Sequence, residues 1–458
     1  MGSREKSPPR ADLWPPWLTN QIFWMVLVGL ALRVCMVVFL RSYEVAPIPP
    51  DHHSPEVMFH FPFRFGFETG AVAYSLATGH GFSSPFAGQT GPTAWLAPLY
   101  PGLCALVFKV CGCFTPASGF VLLFLNSVFG ALNCIPIYQI AELTVGRKVG
   151  LAAGWVWSAG LFFMEWPTTW IWEVSFSAFF LSVLFLQSLR LANDASAKSW
   201  GRFGLLWGVT ALINPAPLAF LPASGLYAAV QLWRKQRPWL RPVLVSAFMF
   251  TVVIAPWLIR NRVVFGKWVF IRGNAPFEFT LGNYHGSNGF GWYGRHPTQN
   301  KREWTEYARV GEIAYVAEKK QAAMEFVKQY PNEFATLCAT RIAGFWAGSD
   351  YIVDMWPRWF FWPLSALMLL GLITAIGYRV NGGWLFALLM LFYPIVYYIT
   401  FTQPRYRHAI EPEMLLLAAY FVHETVRVCS ARFSKRTDPK LARIASMSEN
   451  YTRSGATD

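Results

Sequence analysis

Two acids stand where a mostly apolar chain tolerates charge least easily. Glu68, in FETGAVAYSLATGHGF, follows the first long apolar run, and Glu173, in EWPTTWIWEVSF, opens a later one. A carboxylate at the edge of a hydrocarbon layer is costly and is usually kept because it lines a site or a water-filled cavity. Its chemistry there would be to take a proton or to orient a hydroxyl. Towards the other end, FTQPRYRHAIEPEML carries Arg405 and Arg407, whose planar guanidinium groups suit bidentate contacts to phosphate. Each has a blander reading: a carboxylate complementing a helix N-terminus for Glu173, a solvated loop acid for Glu68, and a snorkelling pair for the arginines.

The elements that hold these residues are membrane spans. The 458 residues are 54% hydrophobic and only 14% charged, with mean hydropathy +0.32, whereas soluble domains carry roughly 25% charged residues. An all-α polytopic membrane protein is expected. The net charge of +14 would suggest nucleic acid in a soluble protein. Here Lys and Arg fall largely in short loops and the C-terminal tail, so they are read as topology signals and anionic-lipid contacts, with no nucleic-acid partner.

The first apolar run, Ile22 to Leu40, is long enough to span and lacks a small-residue cleavage site, so it is expected to remain as an anchor. Further spans are read at about 118–143, 148–165, 172–191, 202–213, 217–233, 242–260, 357–378, 383–401 and 409–428, ten in all. Basic residues at Arg4/Lys6/Arg10, Arg147/Lys148, Lys198/Arg202, Arg234 to Arg241, Arg379 and beyond Arg427 then share one side, which places both termini in the cytoplasm. That count requires Pro98 to Cys113 to be an interfacial helix, because Pro98 and Pro101 suit a first turn but not mid-span. The organisation is a cytoplasmic tail (1–19), a transmembrane domain (20–430) with a first outer loop (41–117) and a long outer loop (261–355), and a basic tail (431–458) expected to be disordered. The long loop holds FTLGNYHGSNGFGWYGRHP and then a helical pattern from about Arg302 to Gln329.

The seven cysteines are odd in number and mostly sit in apolar runs, so no disulfide framework is legible. His52, His53, His60 and His80 with Asp51 are metal-ligand types, but adjacent ligands such as His52 and His53 rarely serve one ion. Loop histidines are the commoner explanation. No cofactor is assigned, and a divalent metal is left open.

The order of these features resembles the GT-C class of membrane glycosyltransferases, most closely the protein mannosyltransferases and lipid A aminoarabinose transferases. The motifs are an acid-bearing first outer loop, ATGHGF, APLYP opening a short helix with LVFKVCG, a GRK turn, and the late Arg-Tyr-Arg of FTQPRYRHAIEPEML. The resemblance covers roughly residues 20–430 and implies transfer of a sugar from a polyprenyl-phosphate donor to a lipid, glycan or protein acceptor. The reaction would run at the outer face of what is expected to be a bacterial inner membrane. Glu68 is then the candidate base and Glu173 a second acid. Asp51 or Glu56 is an alternative, because the family's first acid is usually Asp, often followed by Glu and Tyr, and the single Glu here sits closer to ATGHGF. Arg405, Arg407, Arg260, His80 and Tyr100 are the candidate substrate-binding residues, with Arg262 beside Arg260 in reserve. The family's basic residue before its Pro-Pro-Leu element is missing, since Thr93 to Ala97 occupy that place.

Two other functions fit a polytopic chain. A lipid-linked sugar flippase would suit central prolines, although no repeat is visible and the polar residues cluster at one face. An oligosaccharide ligase or polymerase would share the same topology.

Overall fold

The computed structural model describes residues 20–44, 65–86, 88–291, 293–348 and 358–437. Among these, the regular structure is helical, with one isolated bridge between Ser83 and Pro92. In chain order the helices are α1 (Gln21–Phe39), α2 (Phe67–Ala77), α3 (Leu99–Cys111), α4 (Pro116–Leu132), α5 (Cys134–Leu143), α6 (Arg147–Ala159), α7 (Glu165–Thr169), α8 (Val174–Leu191), α9 (Ala197–Ile213), α10 (Leu221–Arg234) and α11 (Leu240–Phe265). They continue with α12 (Ala275–Gly282), α13 (Lys301–Val310), α14 (Glu312–Gln329), α15 (Pro331–Ala347), α16 (Phe361–Gly377), α17 (Gly383–Phe392), α18 (Ile395–Ile399), α19 (Pro404–Arg407) and α20 (Glu411–Thr437).

Gln21–Phe39, Pro116–Leu143, Val174–Leu191, Leu240–Phe265 and Pro404–Arg432 are long and apolar enough to cross a membrane. The protein is an all-α integral membrane protein. Every expected span in the described residues has a helical counterpart, but several are broken. The stretch 118–143 divides at Asn133, and 383–401 divides at Tyr393-Pro394, where the proline removes a backbone donor. The pattern from Arg302 to Gln329 is two helices rather than one, because α13 ends at Gly311, in the left-handed region (φ 80°). α20 runs on to Thr437, into the stretch expected as a tail.

Burial separates the bundle's inside from its periphery. α8 is 72% buried across its apolar window and α11 only 11%, so α8 is a central strut while α11 presents most of its apolar surface outward. α11 is held by α9: a Cβ on Gly204 would collide with the Ser246 carbonyl oxygen. Only a residue without a side chain lets the two backbones come so close. On the opposite flank, Arg33 of α1 is fully buried. Its guanidinium donates to the carbonyls of Gly29, Trp157 and Ser158, tying α1 to the end of α6.

α4 starts on a capping box. The Thr115 hydroxyl accepts from Ser118 N–H at 3.1 Å, Ser118 Oγ accepts from Thr115 N–H at 3.0 Å, and Pro116 occupies the first turn. α3 has Pro98 at its N-cap and Pro101 in its first turn, and ends at Gly112 after 13 residues. Its apolar length is short for a full span.

The two loop regions pack on each other. Buried Glu312, at the start of α14, accepts from Ala94 N–H at 2.9 Å, from Tyr307 OH at 3.0 Å and from the Thr93 hydroxyl. Gly273 N–H donates to the Ala94 carbonyl at 2.7 Å. Around this clamp Phe86, Trp95, Phe277, Tyr307 and Tyr315 form a separate aromatic core. The residues between α2 and α3 are thereby fixed against those after α11.

Candidate functional site

Glu68 sits in the first turn of α2. Its Oε1 lies 3.2 Å from His296 Nε2, with the imidazole buried and the carboxylate 22% exposed. The imidazole is oriented by its other nitrogen: Nδ1 lies 2.7 Å from Thr298 Oγ1 and accepts from Thr298 N–H at 3.2 Å. A ring nitrogen that accepts is unprotonated, so the Nε2 proton faces Glu68. Burial pushes the Glu68 carboxyl up, but the His296 hydrogen bond and the Arg272 charge outweigh it and hold the group below its ordinary value.

A second carboxylate faces the same place. Glu278, near the start of α12, has Oε1 at 3.7 Å from Arg272 Nη2 and accepts from Asn274 Nδ2 at 2.7 Å. Arg272 is itself aimed by Nε, which donates to Asn274 Oδ1 (3.1 Å) and to the Trp95 carbonyl (3.2 Å). Side-chain exposures of 23% for Arg272 and 25% for Glu278 leave both open to a ligand. Burial raises the Glu278 carboxyl, Arg272 opposes that, and Glu68 adds to it, with a net shift upward. Two acids in one site are thus pushed apart in proton affinity, the pattern by which sites divide acid and base roles.

Trp172 forms the third side. A Cβ on Gly66, whose backbone is left-handed (φ 58°), would stand 2.6 Å from Trp172 Nε1, so the start of α2 lies directly against this ring. The Arg405 guanidinium lies over the same ring at 4.0 Å, and Arg405 Nη2 donates to Tyr406 OH at 3.3 Å. Stacking of this kind is worth about 0.5–2 kcal/mol. The charge of Arg405 reaches Glu278, and both Arg405 and Arg272 act on Tyr406. Trp170 stacks on Trp172 at 4.5 Å, completing an aromatic shelf.

The other sequence candidates lie at graded distances from this centre. Glu173 follows Trp172 at the N-cap of α8 but makes no side-chain cap hydrogen bond. Its charge acts on Tyr100, Tyr393 and Tyr397. Tyr397 stacks on Tyr406 at 4.3 Å, so Glu173 adjoins the arginine pocket through a tyrosine cluster. Tyr100 is buried and donates to Asn126 at 3.1 Å.

Arg407 is turned away from Arg405. It is fully buried, pairs with Glu411 at 3.2 Å and donates to the Phe361 carbonyl and Ser365 Oγ. Arg260 clamps the first loop region by donating to the Thr93 and Phe82 carbonyls, both at 2.7 Å. His80 is exposed and meets Thr78 Oγ1 at 2.9 Å. Asp51, Glu56, His52, His53 and His60 lie outside the described residues. Among the described residues no group of three or more His, Cys, Asp and Glu side chains is arranged to hold a metal.

His296, Arg272 and Glu278 escaped the sequence reading. All three belong to the long polar stretch, where no periodicity marks a face. The available signals were an arginine in the loop that the Lys/Arg reading expects on the side basic residues avoid and one acid inside the aromatic run PFEF.

No protein-family model and no curated protein matches the sequence. Among solved structures, the chain is similar to the archaeal oligosaccharyltransferase AglB from Archaeoglobus fulgidus in complex with an inhibitory peptide and a dolichol-phosphate. That match has a TM-score of 0.44 and 11% identity, and covers 91% of this chain and 52% of that one. It is also similar to ArnT from Cupriavidus metallidurans bound to undecaprenyl phosphate, with a TM-score of 0.37 and 13% identity, covering 89% of this chain and 77% of that one. The chain spans about half the length of the oligosaccharyltransferases it matches. AglB and ArnT are GT-C glycosyltransferases, the class that the sequence motifs resemble. Likeness at this level leaves the chemistry of the site to be argued from its own residues.

Proposed function

We propose that the protein is a membrane glycosyltransferase that moves a sugar from a polyprenyl-phosphate donor to a hydroxyl acceptor at the outer face of a bacterial inner membrane. The observation that carries this reading is the meeting of Glu68 with Arg272 and Arg405 around Trp172. Carboxylate and guanidinium groups share one partly open pocket beside apolar helices.

In such a transfer the acceptor oxygen attacks the anomeric carbon, the bond from that carbon to the phosphate oxygen breaks, and the phosphate departs with its charge. Arg405 and Arg272 supply the cations for that charge. Glu68, kept ionised by His296, accepts the acceptor's hydrogen bond and takes its proton as the new bond forms. Trp172, stacked between Arg405 and Trp170, holds the guanidinium in place, and Glu173 borders the pocket from the tyrosine side.

The test is transfer by the purified protein from a panel of radiolabelled polyprenyl-phosphate sugars to membrane extracts. Label should move with the wild type and fall by roughly 10²–10⁴ in Glu68→Gln, while undecaprenyl phosphate still binds. A panel in which every donor stays intact would overturn the reading.

A further inference from the structure

We propose that Glu278 is the resident counter-ion of the phosphate-binding arginines, a carboxylate that the incoming lipid phosphate must displace electrostatically, so that donor loading is coupled to proton uptake at Glu278. This rests on the reading of the pocket as a polyprenyl-phosphate site.

The geometry supplies the argument. Glu278 stands 3.7 Å from Arg272 through one oxygen, which also accepts from Asn274. Asn274 in turn accepts from Arg272 Nε, so the acid and the base are held on one bracket. Arg405, stacked on Trp172, adds a second positive charge within reach of Glu278. Without a phosphate, Glu278 partly neutralises both cations. A phosphate arriving at the same two guanidinium groups brings negative charge beside a carboxylate already disfavoured by burial and by Glu68. Like charges at such separation do not both persist at low cost; carboxylate and phosphate can each take the relieving proton, and the Glu278 variants tell which does.

The groups that face Glu278 are few. Arg272 precedes it on the chain, Glu68 comes from α2, His296 from the loop before α13, and Arg405 and Tyr406 from α19. α14 packs against α12 with Tyr315, which touches Phe277 and carries Lys319 over its ring. The α14 acid Glu312 is occupied by Thr93, Ala94 and Tyr307. The sign follows: protons are taken up on binding, so lipid-phosphate affinity weakens as pH rises.

Undecaprenyl phosphate titrated into the full-length protein in detergent tests this. At pH 8 the lipid's own phosphate, with its second pKa near about 6, is already dianionic. Calorimetry in buffers of different ionisation heat should show wild type taking up a fraction of a proton on binding. Glu278→Gln and Glu278→Ala should take up none and bind about tenfold more tightly. Equal or weaker binding by both variants, or no proton uptake by wild type, would overturn the coupling while leaving the phosphate site standing. Unchanged affinity in both Arg272→Ala and Arg405→Ala would instead remove the phosphate site itself.

Discussion

Glu68 and His296, 3.2 Å apart, join a short helix after the first span to a glycine-rich loop far along the chain. The contact makes one a fixed acceptor and the other a fixed donor. Because the folded Glu68 carboxyl is held below its ordinary value of 4.5, its contribution to stability is complete above that value and is lost as pH falls beneath it. Thermal unfolding in detergent from pH 7 down to pH 3 should show this decline in wild type. The decline should be shallower in His296→Ala, which removes the donor responsible.

Arg405 and Arg407, two residues apart, should fail in different ways. Arg405→Ala should weaken undecaprenyl-phosphate binding by about 10- to 100-fold, the loss of one charge-assisted hydrogen bond of about 1.5–3 kcal/mol, with little change in thermal midpoint. Arg407→Ala leaves buried Glu411 with His408 as its remaining partner, so it should destabilise the protein by about 1.5–3 kcal/mol. Equal binding losses at equal stability would show that both reach the ligand.

The clamp between the loop regions gives a third test. Glu312→Ala leaves three buried donors without their acceptor, whereas Thr93→Ala removes one of those donors and strands only the Trp95 N–H. Glu312→Ala should lower the unfolding midpoint several times further, at about 1–3 kcal/mol for each stranded donor. It should also expose residues 261–348 to limited proteolysis.

Sidedness is checked by labelling. In a background lacking the exposed Cys35 and Cys429, cysteines at exposed His80 and His285 should react with an impermeant maleimide in intact cells. One at exposed Lys198 should react only after lysis. The reverse pattern would invert the topology argued from Lys and Arg.

The spans were legible because apolar runs of the right length have few alternatives. α1, α8 and α11 fall within a few residues of where hydropathy puts them. The short α3 was legible from its short apolar core, from Pro98 and Pro101, and from the side count of Lys and Arg. Glu68 and Arg405 stood out as candidates because charge beside apolar helices is conspicuous. Arg407 looked the same on paper, yet its partner Glu411 lies one helical turn on, and a sequence does not say which of two nearby arginines will use such a partner. Glu278 and His296 were invisible for a different reason. Their meaning comes from contacts with Arg272 and Glu68, made across loops whose packing depends on the Glu312 clamp.

That clamp also sets an order of events during synthesis. Thr93 and Ala94 leave the ribosome long before Glu312, and Glu68 likewise precedes His296. The early loop must therefore wait, with its donors and its acid solvated, until α11 has been inserted and the later segment delivered to the same side. A nascent chain arrested before Glu312 would hold its first spans yet own no pocket, and a quality-control protease would meet that unlatched loop first.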